Sequence, residues 1–155
     1  MSLKRLIVII LLLLVVSCTS TPPKTFVETQ DDSLSFKVIQ LHNNYGFFRH
    51  KNSEVWGRVL DVLYQRKFRL EEQDKRSGYI RTFWKELAVI SDSSQKYRSR
   101  VIIKMLGRRS WNQAQLKIES EWWDNNREDW IHGYDATILD EIYQVLQGRI
   151  GLTVK

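Results

Sequence analysis

The chain has 155 residues, a formal charge of +6, six each of Trp, Tyr and Phe, and one Cys. That aromatic content argues against a disordered stalk, and the length suits one domain with its own core. A single cysteine excludes an internal disulfide and a multi-cysteine zinc site, so the fold must stand on packing.

Lys4 and Arg5 precede an unbroken apolar run over residues 6–16, followed by Ser17 and Cys18. A charged start, a short apolar stretch and a small residue make up the layout of a secretory leader. The run is far short of the roughly 20 residues a membrane-spanning helix needs. Val15-Val16-Ser17-Cys18 resembles the lipobox of bacterial lipoproteins. That resemblance implies a signal peptide over residues 1–17 and an acylated Cys18 as the mature N-terminus. Thr19, rather than Asp, after the cysteine is similar to the outer-membrane sorting pattern, which implies an envelope lipoprotein facing the periplasm. Lys4 and Arg5 leave with the leader, so the mature chain carries about +4. Nucleic acid is the usual partner of a basic domain, but export argues against it; anionic lipid head groups or a protein surface fit the compartment better.

Residues 18–33 read as the acylated Cys18 and a flexible tether, with Pro22-Pro23, several Ser and Thr, and Asp31-Asp32. Extended, that span reaches roughly 50 Å from the bilayer. Residues 34–155 read as one domain. Leu34, Phe36 and Val38 alternate with polar neighbours and predict a strand to about Leu41. A helix follows, with Asn52 or Ser53 as cap, Glu54 at its positive end, and Val55, Val59, Leu60 and Leu63 on one face. Four strand-like segments come next: Phe68 and Leu70 among charges, residues 79–84 after a turn ending at Gly78, residues 98–106, and residues 113–123. The last segment is a helix opened by Asp135 or Tyr134, with Ile138, Ile142 and Leu146 stacked at i, i+4 and i+8, and Gly148 placed to end it.

The expected fold class is α+β: an antiparallel sheet of about four to five strands packed against two helices, the longer one C-terminal. Period two puts Ile80, Thr82 and Trp84, Val101, Ile103 and Met105, and Ala114, Leu116, Ile118 and Trp122 toward the helices. Arg81, Arg98, Arg100, Lys104, Lys117, Glu119 and Glu121 then share the outward face.

The helix containing Val55-Trp56, then Phe68, Asp74, Gly78, Ile80, Thr82 and Trp84, then an Arg/Val-rich strand over residues 97–105, resembles a domain of the outer-membrane assembly lipoprotein family BamC. More broadly it resembles helix-grip domains. The resemblance covers roughly residues 55–146 and implies a curved antiparallel sheet around a long C-terminal helix in a non-enzymatic accessory subunit. That family carries two such domains and a long unstructured docking segment, whereas this chain has one domain and a short tether.

No catalytic constellation emerges. His42, His50 and His132 lack metal-ligand spacing, and no P-loop, G-x-G-x-x-G or G-x-S-x-G occurs. No cofactor is expected. Asp124, Glu128 and Asp129 flank Arg127 and read as a solvated hairpin or pre-helix loop. Trp111 and Trp123 fall on the polar face beside Arg81, Arg98 and Arg100, and tryptophan on a polar face is an interface candidate. The alternative is that a loop or the N-terminal strand folds over each ring. The expected function is a non-catalytic, membrane-anchored lipoprotein that binds or scaffolds an envelope protein partner, an outer-membrane assembly accessory being the first example. A lipid- or glycolipid-binding module, with a cavity between sheet and helices, is the alternative.

Overall fold

The computed structural model describes residues 21–41, 52–88, 95–107 and 110–152. Cys18, His42, His50 and Phe47-Phe48 lie outside the described residues. In chain order the elements are β1 (Phe26–Glu28), a 3-10 turn (Asp32–Ser35), β2 (Phe36–Gln40), α1 (Asn52–Gln65), β3 (Leu70–Asp74), β4 (Tyr79–Thr82), β5 (Lys85–Glu86), β6 (Tyr97–Leu106), β7 (Gln113–Asp124), β8 (Asp129–Asp135) and α2 (Ala136–Ile150).

Among the described residues the sheet has eight strands, which corrects the expectation of four to five. Every pairing is antiparallel, and the order runs β1-β8-β7-β6-β4-β3. The extra strands have a geometric origin. β6 spans ten residues and β7 twelve, so each is long enough to take two short strands along one side. β4 and β5 share the flank of β6, while β2 and β8 share that of β7. β1 then adds to β8, with Phe26 opposite Asp135. That strand lies inside the span expected to be tether, and Phe26 is buried against Tyr97 and Trp122.

Both helices cover one face. Val59, Leu63, Ile142 and Leu146 are fully buried together with Ile80, Val101, Ile103, Leu116 and Ile118 from the sheet. α1 ends where Lys67 adopts φ 60, with Lys67 N–H donating to the Tyr64 carbonyl and Phe68 N–H to that of Leu63. This is a Schellman stop with lysine where glycine is usual, and Phe68 and Leu63 supply its hydrophobic contact in the core. α2 opens on Asp135, whose Oδ1 accepts the Ile138 N–H at 2.9 Å. It runs past Gly148 to Ile150, a correction to its expected end, because Ile150 is still core and Gly151 N–H closes on the Gln147 carbonyl at 3.0 Å. Gly78, with φ 72, lets the β3–β4 turn pass over β6; a Cβ there would lie 2.6 Å from that of Met105.

Trp84, expected to point toward the helices, lies on the opposite face. β4 stops at Thr82, whose hydroxyl accepts the Val101 N–H at 2.9 Å. Phe83 and Trp84 then form a break before β5, and the two-residue alternation does not carry across it.

Candidate partner-binding face of the sheet

The face away from the helices is built on a cross-strand register. Arg98 of β6 stands opposite Glu121 of β7, and Arg100 opposite Glu119. Directly opposed unlike charges on one face stabilise a sheet pair. Arg98 Nη2 lies 2.5 Å and Arg100 Nη2 2.6 Å from their partner carboxylates. The Trp84 ring is stacked by both guanidiniums, at 4.8 Å from Arg98 and 4.5 Å from Arg100, and Arg98 also lies 4.0 Å from the Trp130 ring centroid. Trp84, Arg98 and Trp130 therefore form one continuous stack across three strands' worth of surface.

Residues 29–35 cross this face on the way from β1 to β2. Asp32 reaches Lys117 Nζ at 3.0 Å, and Lys117 also contacts Glu119 at 2.9 Å. Burial would raise the Glu119 carboxyl, but hydrogen bonds from Lys117 and Arg100 outweigh it and hold the group below the ordinary carboxylate range. Burial would lower the Lys117 ammonium, and its bonds to Glu119 and Asp32 instead raise it. His132 Nδ1 lies 2.7 Å from the second oxygen of Glu121. The result is an open groove of about 290 Å³ whose walls include Trp84, Arg100, Lys117, Glu119, His132 and Ser35. Beyond the Asp32–Lys117 contact, a smaller hollow of about 190 Å³ is lined by Phe36, Tyr79 and Ile102. Phe36 is 38% and Val38 37% exposed, so β2 offers apolar surface beside a charged groove.

The five residues expected at a partner site separate. Arg98 and Arg100 meet at the centre of this face. Arg81 lies on β4 with its charge taken by Glu71 at 2.9 Å and Glu72 at 3.3 Å. Trp123 sits at the β7–β8 turn, edge to face with Trp130 at 5.6 Å. Trp111 does not belong to the face: its ring packs on Trp56 of α1 at 5.9 Å, and its backbone N–H donates to Asn52 Oδ1 at 3.1 Å. It precedes the first residue of β7, where strand alternation has no force. The sequence pattern put Trp84 on the opposite face and did not mark Trp130, Asp32 or the apolar edge of β2 as site residues. Arg98-x-Arg100 and Glu119-x-Glu121 were visible as spaced charges, but only the register shows that they pair.

The groove offers a stacking surface and charges of both signs. Among the described residues no group of three or more His, Cys, Asp or Glu is arranged to hold a metal ion. Among them, too, no helix is long and apolar enough to cross a membrane. No family model matches the chain, and no curated protein matches it.

Proposed function

We propose that the protein is a non-catalytic, membrane-anchored envelope lipoprotein that binds a protein partner on the outer face of its sheet. The observation that carries this reading is that face, where a Trp84–arginine stack and a mixed-charge groove adjoin exposed Phe36 and Val38. Cations and carboxylates alternate along the groove, which suits a polypeptide surface carrying both signs better than a polyanion. Aromatic and arginine anchors with an apolar flank are the composition of protein hot spots. The leader, Cys18 and the resemblance to BamC support an envelope location and make the outer-membrane assembly machine the first partner to test.

Lipid or glycolipid binding ranks second. It rests on an open groove of about 310 Å³ at the rim between the helices and β5, lined by Phe68, Leu87 and Ile138 with basic neighbours. Two of its three cations are already engaged: Lys85 donates to the Arg66 carbonyl, and Arg66 pairs with Glu141.

Photo-cross-linking in intact cells tests the leading reading. A photoreactive residue at Val38 should give discrete protein adducts, and one at Tyr64, exposed on α1, should give none. Adducts from position 64 and none from position 38 would move the interface to the helices.

A further inference from the structure

The described chain begins beside one particular end of the sheet. Gln95 Nε2 donates to the Thr21 carbonyl at 2.6 Å. The next residue, Lys96, accepts the Trp123 N–H on its carbonyl at 2.9 Å, so Thr21 sits at the end that carries the β7–β8 turn. There the Trp123 and Trp130 rings meet edge to face, and the Lys96 ammonium lies 5.6 Å from the Trp123 ring centroid. Arg127 projects from the turn with 65% of its side chain exposed, accompanied by exposed Glu128 and Asp129. From Thr21 back to Cys18 is three residues, at most about 11 Å of fully extended chain. Whatever holds Cys18 is therefore close to this end and to no other. Amphipathic tryptophan rings with long cations around them are the composition of a membrane–water boundary.

We propose that the sheet end formed by Lys96, Trp123, Arg127 and Trp130 rests in the head-group region of the bilayer that holds the Cys18 anchor. The proposal depends on Cys18 being acylated. Its charges are mixed, so the contact is driven by the aromatic pair and does not require anionic lipid. β6 and β7 then stand away from the membrane. Gln113, the other end of β7, is ten positions before Trp123, roughly 33 Å away at about 3.3 Å per strand residue, and Trp111 lies just beyond it. The outer face with Trp84 and Arg100 is presented sideways, free for a neighbour in the same membrane.

The test uses the full acylated chain in phosphatidylcholine vesicles containing lipid with a nitroxide near the head group, read by tryptophan fluorescence. Trp123→Phe and Trp130→Phe should each reduce the quenched emission by about half, and Trp111→Phe should leave it unchanged. Phenylalanine keeps an aromatic partner in the pair, and circular dichroism confirms folding. Quenching that survives both Trp123→Phe and Trp130→Phe, or that is lost in Trp111→Phe instead, overturns the proposal. Mass spectrometry of the N-terminal peptide separates the two levels. Acylated Cys18 with unquenched Trp123 removes only this membrane contact, whereas unmodified Cys18 removes the lipoprotein reading and this contact with it.

Discussion

Lys67 holds a conformation that costs an L-residue with a Cβ roughly 1–2 kcal/mol, because its side chain crowds the following carbonyl. Glycine does not pay that steric cost, and C′ of a Schellman stop is where it is most often found. The lysine side chain is exposed, and nothing in the structure explains its preference over glycine there. Lys67→Gly should therefore stabilise the fold by about 1 kcal/mol, read as a higher urea midpoint with an unchanged m-value. A lower midpoint would mean that α1 does not end in the way described. Asp135 is the opposite case, a residue whose surroundings satisfy it fully. It caps α2 through Ile138 N–H and accepts from Tyr97 Oη at 2.6 Å and Thr25 Oγ1 at 2.7 Å. Burial first, and the Asp135 carboxylate second, push the Tyr97 phenol well above its ordinary value, so the phenol stays a donor across the working pH range.

At the scale of elements, the β6–β7 pair is held on its outer side by charges and on its inner side by apolar contact, and the two respond differently to pH. Glu119 titrates lower in the fold than in the unfolded chain. Its contribution is complete above the ordinary 4.5 and is lost as pH falls through the folded value. Lys117 titrates higher than the ordinary 10.5, so its contribution is complete below that and is lost as pH rises through the folded value. Between those limits the Glu119 and Lys117 contributions are both complete. The wild-type thermal midpoint should fall more steeply below pH 4.5 than that of Glu119→Gln, with the two curves differing by no more than about 1 kcal/mol at neutral pH, the range of partly exposed pairs. Parallel curves through the acid range would show that Glu119 is not held by Arg100 and Lys117. The elements that could be read from sequence are those with a period of their own: α2, through Ile142 and Leu146, and the long strands β6 and β7. Phe26–Glu28, Lys85–Glu86 and Asp129–Asp135 are strands because a longer neighbour offers them an edge, and an edge is not written in the segment that pairs with it. Arg98 and Arg100 were legible as one outward row. Trp84 between them was not, because the break at Phe83 moved it to the other face.

At the scale of the molecule, the N-terminal segment belongs to the domain rather than leading to it. Phe26 meets Tyr97 at 6.1 Å and Trp122 at 6.4 Å, both edge to face, and is 8% exposed. These rings form a second, smaller core under the upper ends of β6 and β7, with Leu87 and Ile131 at its margin. Ala136 N–H donates to the Thr25 carbonyl at 2.9 Å, so the same segment also fixes the turn from β8 into α2. A tether would tolerate truncation of Phe26, and a core residue would not. Phe26→Ala should destabilise by about 3 kcal/mol, near the low end for a buried Phe because β1 is an edge strand free to settle into the gap. Val27→Ala, on the exposed side of the same strand, should cost less than about 0.5 kcal/mol. Chemical denaturation of the two variants decides between the pictures: two small effects would return residues 21–28 to the role of linker. The anchor would then regain the reach of an extended tether, and the close approach of Trp123 and Trp130 to the bilayer would lose its geometric basis. A large loss at Phe26 alone fixes the domain within eight residues of Cys18, and the Gln95–Thr21 hydrogen bond brings it within three. On the proposed reading, the outer sheet face would then be held in one orientation relative to the membrane, which would favour a partner in that membrane.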